Sequence, residues 1–314
     1  MKLLSFKIQE EPHIGILLDN RVLDLNSAFN YHLGGAYSDS IHHFELDMLS
    51  FLEMGKIGIA ETQKAVETAK TLEGDYYHGG RIFFPLDGLK ITSPIPRPRK
   101  NIVCLGLNYA EHVLEGKQTL DKEQNLPKNP IYFTKPPTTM TGPYDNIVYP
   151  KVTAKLDYEI ELAIVIGKTG KNIPKNQVYN HIYGYSVFND VSARDLQTRH
   201  GQWFKGKSCD TFSPMGPYLV TADEIADPMN LKIWLKVNDE LRQSSNTRNM
   251  IFGIPKLVSV LSQGTTLEVG DIIATGTPSG VGSAHQLGLL NVGDIVEAGI
   301  DGIGIIKNRV TAEL

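Results

Sequence analysis

The segment from Lys155 to Ile166 restricts the fold of this chain more than any other. Read as a β-strand, its side chains alternate with period two, which places Asp157, Glu159 and Glu161 on one face, followed by Ala163 and Val165. The opposite face carries Tyr158, Ile160, Leu162, Ile164 and Ile166. The acidic face therefore runs into an apolar surface that is expected to be buried. A buried carboxylate has to be paired, protonated or metal-bound. Asp190 adds an acid downstream, and Glu159, Glu161 and Asp190 are candidate ligands of a divalent cation. The alternation also fits a solvated face of an antiparallel sheet, or acids neutralised by Lys or Arg on neighbouring strands.

With 314 residues the chain is long enough for a large domain plus a small one. Its net charge of -4 gives no electrostatic footprint for nucleic acid or a membrane surface. No apolar run is long enough to span a bilayer, and the apolar core of the first residues is too short for a signal peptide. The two cysteines, Cys104 and Cys209, form neither a disulfide framework nor a metal-ligand spacing, so a reducing, cytoplasmic location is expected. Cys104 lies in an apolar stretch and reads as a buried, inert thiol.

Residues 1–95 read as a small N-terminal module and 96–314 as the main domain, with Pro94, Pro96 and Pro98 marking an extended link between them. Asp19-Asn20, Asn238-Asp239 and Asp301-Gly302 each separate two apolar runs and read as hairpin turns. Helices are expected over about Ala60 to Leu72 and over Ile254 to Leu261. The remainder is strand-rich, giving a mainly β architecture with some α (α+β) and no βαβ repeat.

Three further segments carry chemistry. Asn108 reads as an N-cap, and a helical turn from Tyr109 sets His112 and Glu115 at i and i+3. A carboxylate beside a histidine raises its basicity and orients the ring for general-base work, although such a pair also fits an exposed helix face. The loop Thr275 to Gly282 is glycine-rich and follows a strand, so its amides suit a carboxylate or oxyanion, or simply a tight turn. Gly201 to Ser208 satisfies the phosphate-loop pattern letter for letter, but polar residues precede it and Pro214 stops any long helix after it. Nucleotide binding is not expected there. Lys207 can still serve as a cation beside an anionic substrate, or lie solvated on the surface.

These motifs occur together and in one order. Gly-x-Asn-Tyr-Ala-x-His-x-x-Glu from Gly106 is followed by Asp-Tyr-Glu-x-Glu-Leu from Asp157 and Asn-Asp-x-Ser-Ala-Arg-Asp-x-Gln from Asn189. Gly-Lys-Ser from Gly206 and Thr-Gly-Thr-Pro-x-Gly-Val-Gly from Thr275 complete the set. The set closely resembles the fumarylacetoacetate hydrolase family over about Pro96 to Leu314. The resemblance implies a core of mixed β-sheets in a β-roll or sandwich, a small N-terminal domain of bacterial type, and a homodimer. It implies Mg²⁺ or Mn²⁺ on Glu159, Glu161 and Asp190, with Asp157 in support. It casts His112 and Glu115 as a catalytic dyad with Lys207, and Arg194, Gln197, Gly276 and Thr277 as substrate contacts. The first segment departs from the mammalian fumarylacetoacetate-cleaving version, so that substrate is not expected.

An all-oxygen shell favours a hard ion, and a 2-oxo acid can chelate such an ion. The expected function is cleavage of a C–C bond in an acylpyruvate or 2-oxo dicarboxylate, by fumarylpyruvate-type hydrolysis or oxaloacetate decarboxylation. Isomerisation or decarboxylation of a hydroxymuconate-type product of aromatic catabolism is the alternative, and a catalytically silent metal-binding scaffold comes after it. The polar segment from Gly116 to Asn129 is expected to act as a lid.

Overall fold

The computed structural model describes residues 1–34, 46–77, 80–120, 126–284 and 288–314. Among these residues, twelve strands form one large mixed sheet and five form a second. Strand Ile160–Ile166 lies inside the large sheet, antiparallel to Ile182–Asn189 on one side and to Ile272–Ala274 on the other. The second sheet is built around Lys232–Val237, which pairs with Glu240–Asn246 and with Ile295–Ile300. Helix Ile254–Leu261 has the bounds expected from the sequence, whereas the N-terminal helix starts earlier than expected, at Gly55, and runs to Lys70.

The acidic segment is not one continuous strand. Leu156–Asp157 pairs with Ser192–Ala193, the chain breaks at Tyr158 and Glu159, and the long strand begins at Ile160. The backbone N–H groups at this break all have acceptors, as burial requires. Asn189 Oδ1 accepts from the Glu159 N–H at 2.9 Å, and the Asp190 N–H donates to the Glu159 carbonyl at 2.8 Å. Gln243 Oε1, from the second sheet, accepts from the Ile160 N–H at 3.0 Å.

Both faces of Ile160–Ile166 are buried, which accounts for its unbroken apolar run. Ile160, Leu162, Ile164 and Ile166 pack with Ile233, Leu235, Val296 and Ile306 of the second sheet. Ala163 and Val165 pack on the other side with Phe51, Leu52 and Ala65 of the N-terminal helices. The N-terminal strands extend the large sheet, because Lys2–Ile8 pairs with Ser213–Thr221. The three anticipated hairpins form, and residues with positive φ occupy their turns, namely Asp19, Asn238, Asp239 and Gly302.

In the N-terminal sheet, His13 Nδ1 lies 2.5 Å from Oδ2 of the buried Asp24, and its ring stacks on Phe6. The hydrogen bond to Asp24 raises the imidazole's pKa against the effect of its partial burial. A pKa raised in the folded state contributes stability that is complete below the ordinary histidine value and is lost as pH rises through the folded one. His13→Gln should therefore cost most stability near pH 6 and least near pH 9. Denaturant melts of both proteins at the two pH values check this, and a cost that does not vary with pH would refute it.

Candidate metal centre and active-site cavity

Glu159, Glu161 and Asp190 converge, although two come from the broken acidic strand and one from the end of the adjoining strand. One carboxylate oxygen from each lies within 4.8 Å of the others, and all three residues are buried. Cations from three other elements meet them. Lys207 Nζ donates to Glu159 Oε2 at 2.8 Å and to Asp190 Oδ2 at 2.7 Å. Lys135 Nζ bonds Asp190 Oδ1 and also the Val191 carbonyl, the latter at 3.0 Å. Arg194 pairs with Asp157 Oδ2 and Glu159 Oε1, each at 2.7 Å.

The charges do not balance. Four carboxylates, those of Asp157, Glu159, Glu161 and Asp190, face three cations among the described residues, and the ion pairs leave Glu161 without one. Among the described residues, Glu161 Oε2 accepts only the Gly276 N–H, at 2.7 Å, and Oε1 is buried with no hydrogen-bond partner. Burial, followed by the charges of Asp190 and Glu159, pushes the Glu161 carboxyl well above the usual carboxylate range. Burial would raise Glu159 too, but Lys207 and Arg194 hold it below that range.

A divalent cation fits this arrangement. The donors are all oxygen, as a hard ion prefers. Their mutual separations of up to 4.8 Å match the width of one coordination sphere with metal–oxygen distances of about 2.0–2.6 Å. The unpartnered Glu161 oxygen supplies both a free lone pair and the uncompensated charge. Glu159, Glu161 and Asp190 could hold such an ion.

A cavity of about 510 Å³ opens beside this centre. His112, Glu115, Glu159, Arg194, Gln197, Lys207 and Thr277 all line it. His112 Nδ1 approaches Glu115 Oε2 to 3.5 Å without the alignment of a hydrogen bond, so the two are close but not yet joined. Gln197 Oε1 accepts from Arg194 at 3.2 Å. Lys207 is not a surface lysine, being only 2 % exposed. It ends a four-residue helix, Phe204–Lys207, in a segment preceded by helix Arg194–Arg199 rather than by a strand, so the phosphate-loop pattern does not form a phosphate cradle.

The glycine-rich loop does bind carboxylates, and they are the protein's own. Gly276 N–H serves Glu161, Gly280 N–H serves Glu115 at 2.9 and 3.1 Å, and Gly282 and Ser283 N–H serve Asp157 at 2.6 and 3.0 Å. Gly276 and Gly280 hold φ of +95° and +100°, and a Cβ at Gly280 would stand 2.0 Å from the Arg242 carbonyl, so these positions require glycine. Asn108, expected as an N-cap, ties this region together. Its amide donates to the Phe252 and Thr275 carbonyls and accepts from the Phe252 N–H. The segment 116–129, expected as a lid, falls in part on residues 121–125, which lie outside the described residues.

Four residues at the site were not anticipated: Lys135, Phe133, Trp203 and Gln243. Alternation along strand Ile131–Lys135 puts Phe133 and Lys135 on one face, and a lysine closing an apolar strand was a signal that an acid must lie opposite. Trp203 packs edge-on to Phe133 at 5.4 Å and covers Gly106, where a Cβ would meet the indole at 2.0 Å. Nothing local in the sequence distinguishes Trp203 or Gln243. Cys104 is buried, and burial raises its thiol well above the usual range, consistent with an inert group.

Residues 101–311 match the family description "Fumarylacetoacetate (FAA) hydrolase C-terminal". This chain belongs to the fumarylacetoacetate hydrolase family, and it is an enzyme of that family. It is 40% identical to the oxaloacetate tautomerase YisK of Bacillus subtilis over 318 aligned residues, covering 99% of this chain and 100% of the relative. Among solved structures of the family, the fumarylacetoacetate hydrolase of Exiguobacterium antarcticum is 34% identical with a TM-score of 0.76, both chains being covered completely. The maleylpyruvate hydrolase of Sphingobium sp. SYK-6, solved with manganese(II) and pyruvate, is 30% identical with a TM-score of 0.75 and the same coverage. The mixed-sheet fold expected from the resemblance is the fold these structures share. Among the described residues, no helix is long and apolar enough to cross a membrane.

Replacing Glu161 with Gln should raise the melting temperature of the metal-free protein, because a carboxyl whose ionisation burial and the neighbouring acids oppose is replaced by a neutral amide. The same substitution should abolish most of the rise in melting temperature that Mg²⁺ or Mn²⁺ gives the wild type. Thermal melts with metal and with chelator test both statements. A variant that retains the full metal-induced shift would remove Glu161 from the ligand set.

Proposed function

We propose that this protein interconverts the keto and enol forms of a 2-oxo dicarboxylate of the oxaloacetate type, with Mg²⁺ or Mn²⁺ held by Glu159, Glu161 and Asp190. The observation that carries this reading is that a proton-handling pair, His112 and Glu115, lines the same cavity as Glu159 of the acidic centre. The full-length likeness to an oxaloacetate tautomerase supports the choice of reaction. The manganese and pyruvate in the maleylpyruvate hydrolase structure support a metal and a 2-oxo acid.

Tautomerisation breaks one C–H bond at C3 and forms one O–H bond at the C2 oxygen, with no attacking water. The ion, when bound, supplies Lewis acidity that makes the C3 proton easier to remove. His112 presents Nδ1 towards Glu115, which leaves Nε2 for the substrate. Nε2 takes the C3 proton, Glu115 stabilises the imidazolium, and the proton leaves to the C2 oxygen. Lys207 and Arg194, both held charged against burial by neighbouring acids, place positive charge beside the cavity where negative charge develops.

Hydrolytic C–C cleavage, anticipated first from the sequence, would instead use His112 on a water: the hydroxyl adds to the acyl carbon, the C–C bond breaks, and the departing carbon takes up the proton. Hydrolysis of a longer acylpyruvate is the second reading. It is favoured by the cavity of about 510 Å³, with Leu105, Phe133, Trp203 and Val281 on its walls, which exceeds what a four-carbon acid fills. In both readings residues 1–95 serve as an N-terminal domain and 96–314 as the catalytic one.

Decay of enol-oxaloacetate, followed by its ultraviolet absorbance with Mg²⁺ and with chelator, tests the proposal directly. The wild type should accelerate the decay only with metal. His112→Ala should lower that rate by about 10²–10⁴-fold while keeping the metal-induced thermal shift. A wild type no faster than buffer would sink the tautomerase reading, and acylpyruvate hydrolysis in the same panel would replace it.

A further inference from the structure

We infer that Gln243 is a positioning residue that fixes the Thr277 hydroxyl as a hydrogen-bond donor into the cavity. Gln243 comes from strand Glu240–Asn246 of the second sheet and is completely buried. Its amide has backbone partners at both ends. The Ile160 N–H can only donate and meets Oε1 at 3.0 Å, while the Pro278 carbonyl can only accept and meets Nε2 at 2.8 Å. Two partners of opposite kind leave one orientation of the amide, so the placement of its nitrogen and oxygen follows from chemistry.

The second hydrogen on Nε2 points at Thr277 Oγ1, 2.8 Å away. An amide nitrogen does not accept, so the hydroxyl oxygen accepts here and its own hydrogen must go elsewhere. Thr277 lines the cavity shared by His112, Glu115 and Glu159. The acceptor that this geometry awaits is an oxygen of an anionic substrate. Ile160, the residue between Glu159 and Glu161, anchors the other end of the same amide. Gln243 thus locks the direction of a substrate donor to the acidic segment that carries two proposed metal ligands, Glu159 and Glu161.

This inference rests on the oxo-acid reading of the cavity, so its test uses binding and needs no turnover. Oxalate is titrated calorimetrically into the Mg²⁺-loaded wild type, Thr277→Val, Gln243→Leu and the double variant. Each single substitution should weaken oxalate by roughly 10-fold, the range of a hydrogen bond to a charged group, and the double variant should be no weaker than the weaker single. Gln243→Glu, which keeps an oxygen for Ile160 but lacks the Nε2 hydrogens, repeats the measurement should Gln243→Leu fold poorly. Thr277→Ser should bind like the wild type when Gln243 is present and like Thr277→Val when it is replaced.

Losses that multiply in the double variant would overturn the inference, since Gln243 would then act through packing alone. Unchanged affinity in either single variant, or a wild type that does not bind oxalate, would overturn it too. A coupled loss of oxalate binding in a protein without tautomerase activity would uphold the role of Gln243 and sink only the tautomerase reading.

Discussion

The arrangement of this protein depends on four buried carboxylates set against two buried lysines and a half-buried arginine. Among the described residues, Asp157, Glu159 and Asp190 each have a cation within ion-pair distance, and Glu161 has only an amide hydrogen. Uncompensated charge in a dry interior is costly, so elements from across the chain converge to satisfy the acids. Lys135 comes from a strand at the edge of the large sheet, while Arg194 and Lys207 come from short helices after Asp190. The deficit that remains, one negative charge with an unpartnered oxygen, is the feature a divalent ion would correct.

The glycine-rich loop gives the second layer of order. Its amides hold Glu161, Glu115 and Asp157, so a single stretch of backbone sets the acidic centre, the partner of His112 and the support behind Arg194. The loop is held in turn. Tyr158 Oη donates to the Gly280 carbonyl at 3.1 Å, and Gln243 holds Thr277 and Pro278. Two sheets therefore meet at the site, one carrying the acids and the other supplying the amide that orients the loop. A shift of either sheet would move both the acidic centre and Glu115, the neighbour of His112.

Much of the fold was legible because its signals are local. The hairpin turns at Asp19, Asn238 and Gly302 follow from residues that tolerate positive φ between apolar runs. The acidic strand announced its burial through the apolar run after Glu161, and both faces are covered. Its break at Tyr158 and Glu159 was not legible, since the partners that satisfy the broken ladder, Asn189 and Gln243, lie 30 and 83 residues away. Lys135 was legible in principle, as a charge ending an apolar strand. The aromatic cover formed by Trp203 over Gly106 was not, because it joins residues about a hundred positions apart.

From the sequence alone came the residue types that demand a cation, the spacing that puts Glu159 and Glu161 on one face, and the pairing of His112 with Glu115. Each follows from the period of a strand or a helix, which a short stretch of chain determines by itself. Tertiary structure decided which acids remain unpaired, because charge balance depends on neighbours that only folding brings within a few ångströms. It likewise decided that the amides of the glycine-rich loop serve the protein's own carboxylates, and that an amide from a separate sheet sets the polarity of Thr277.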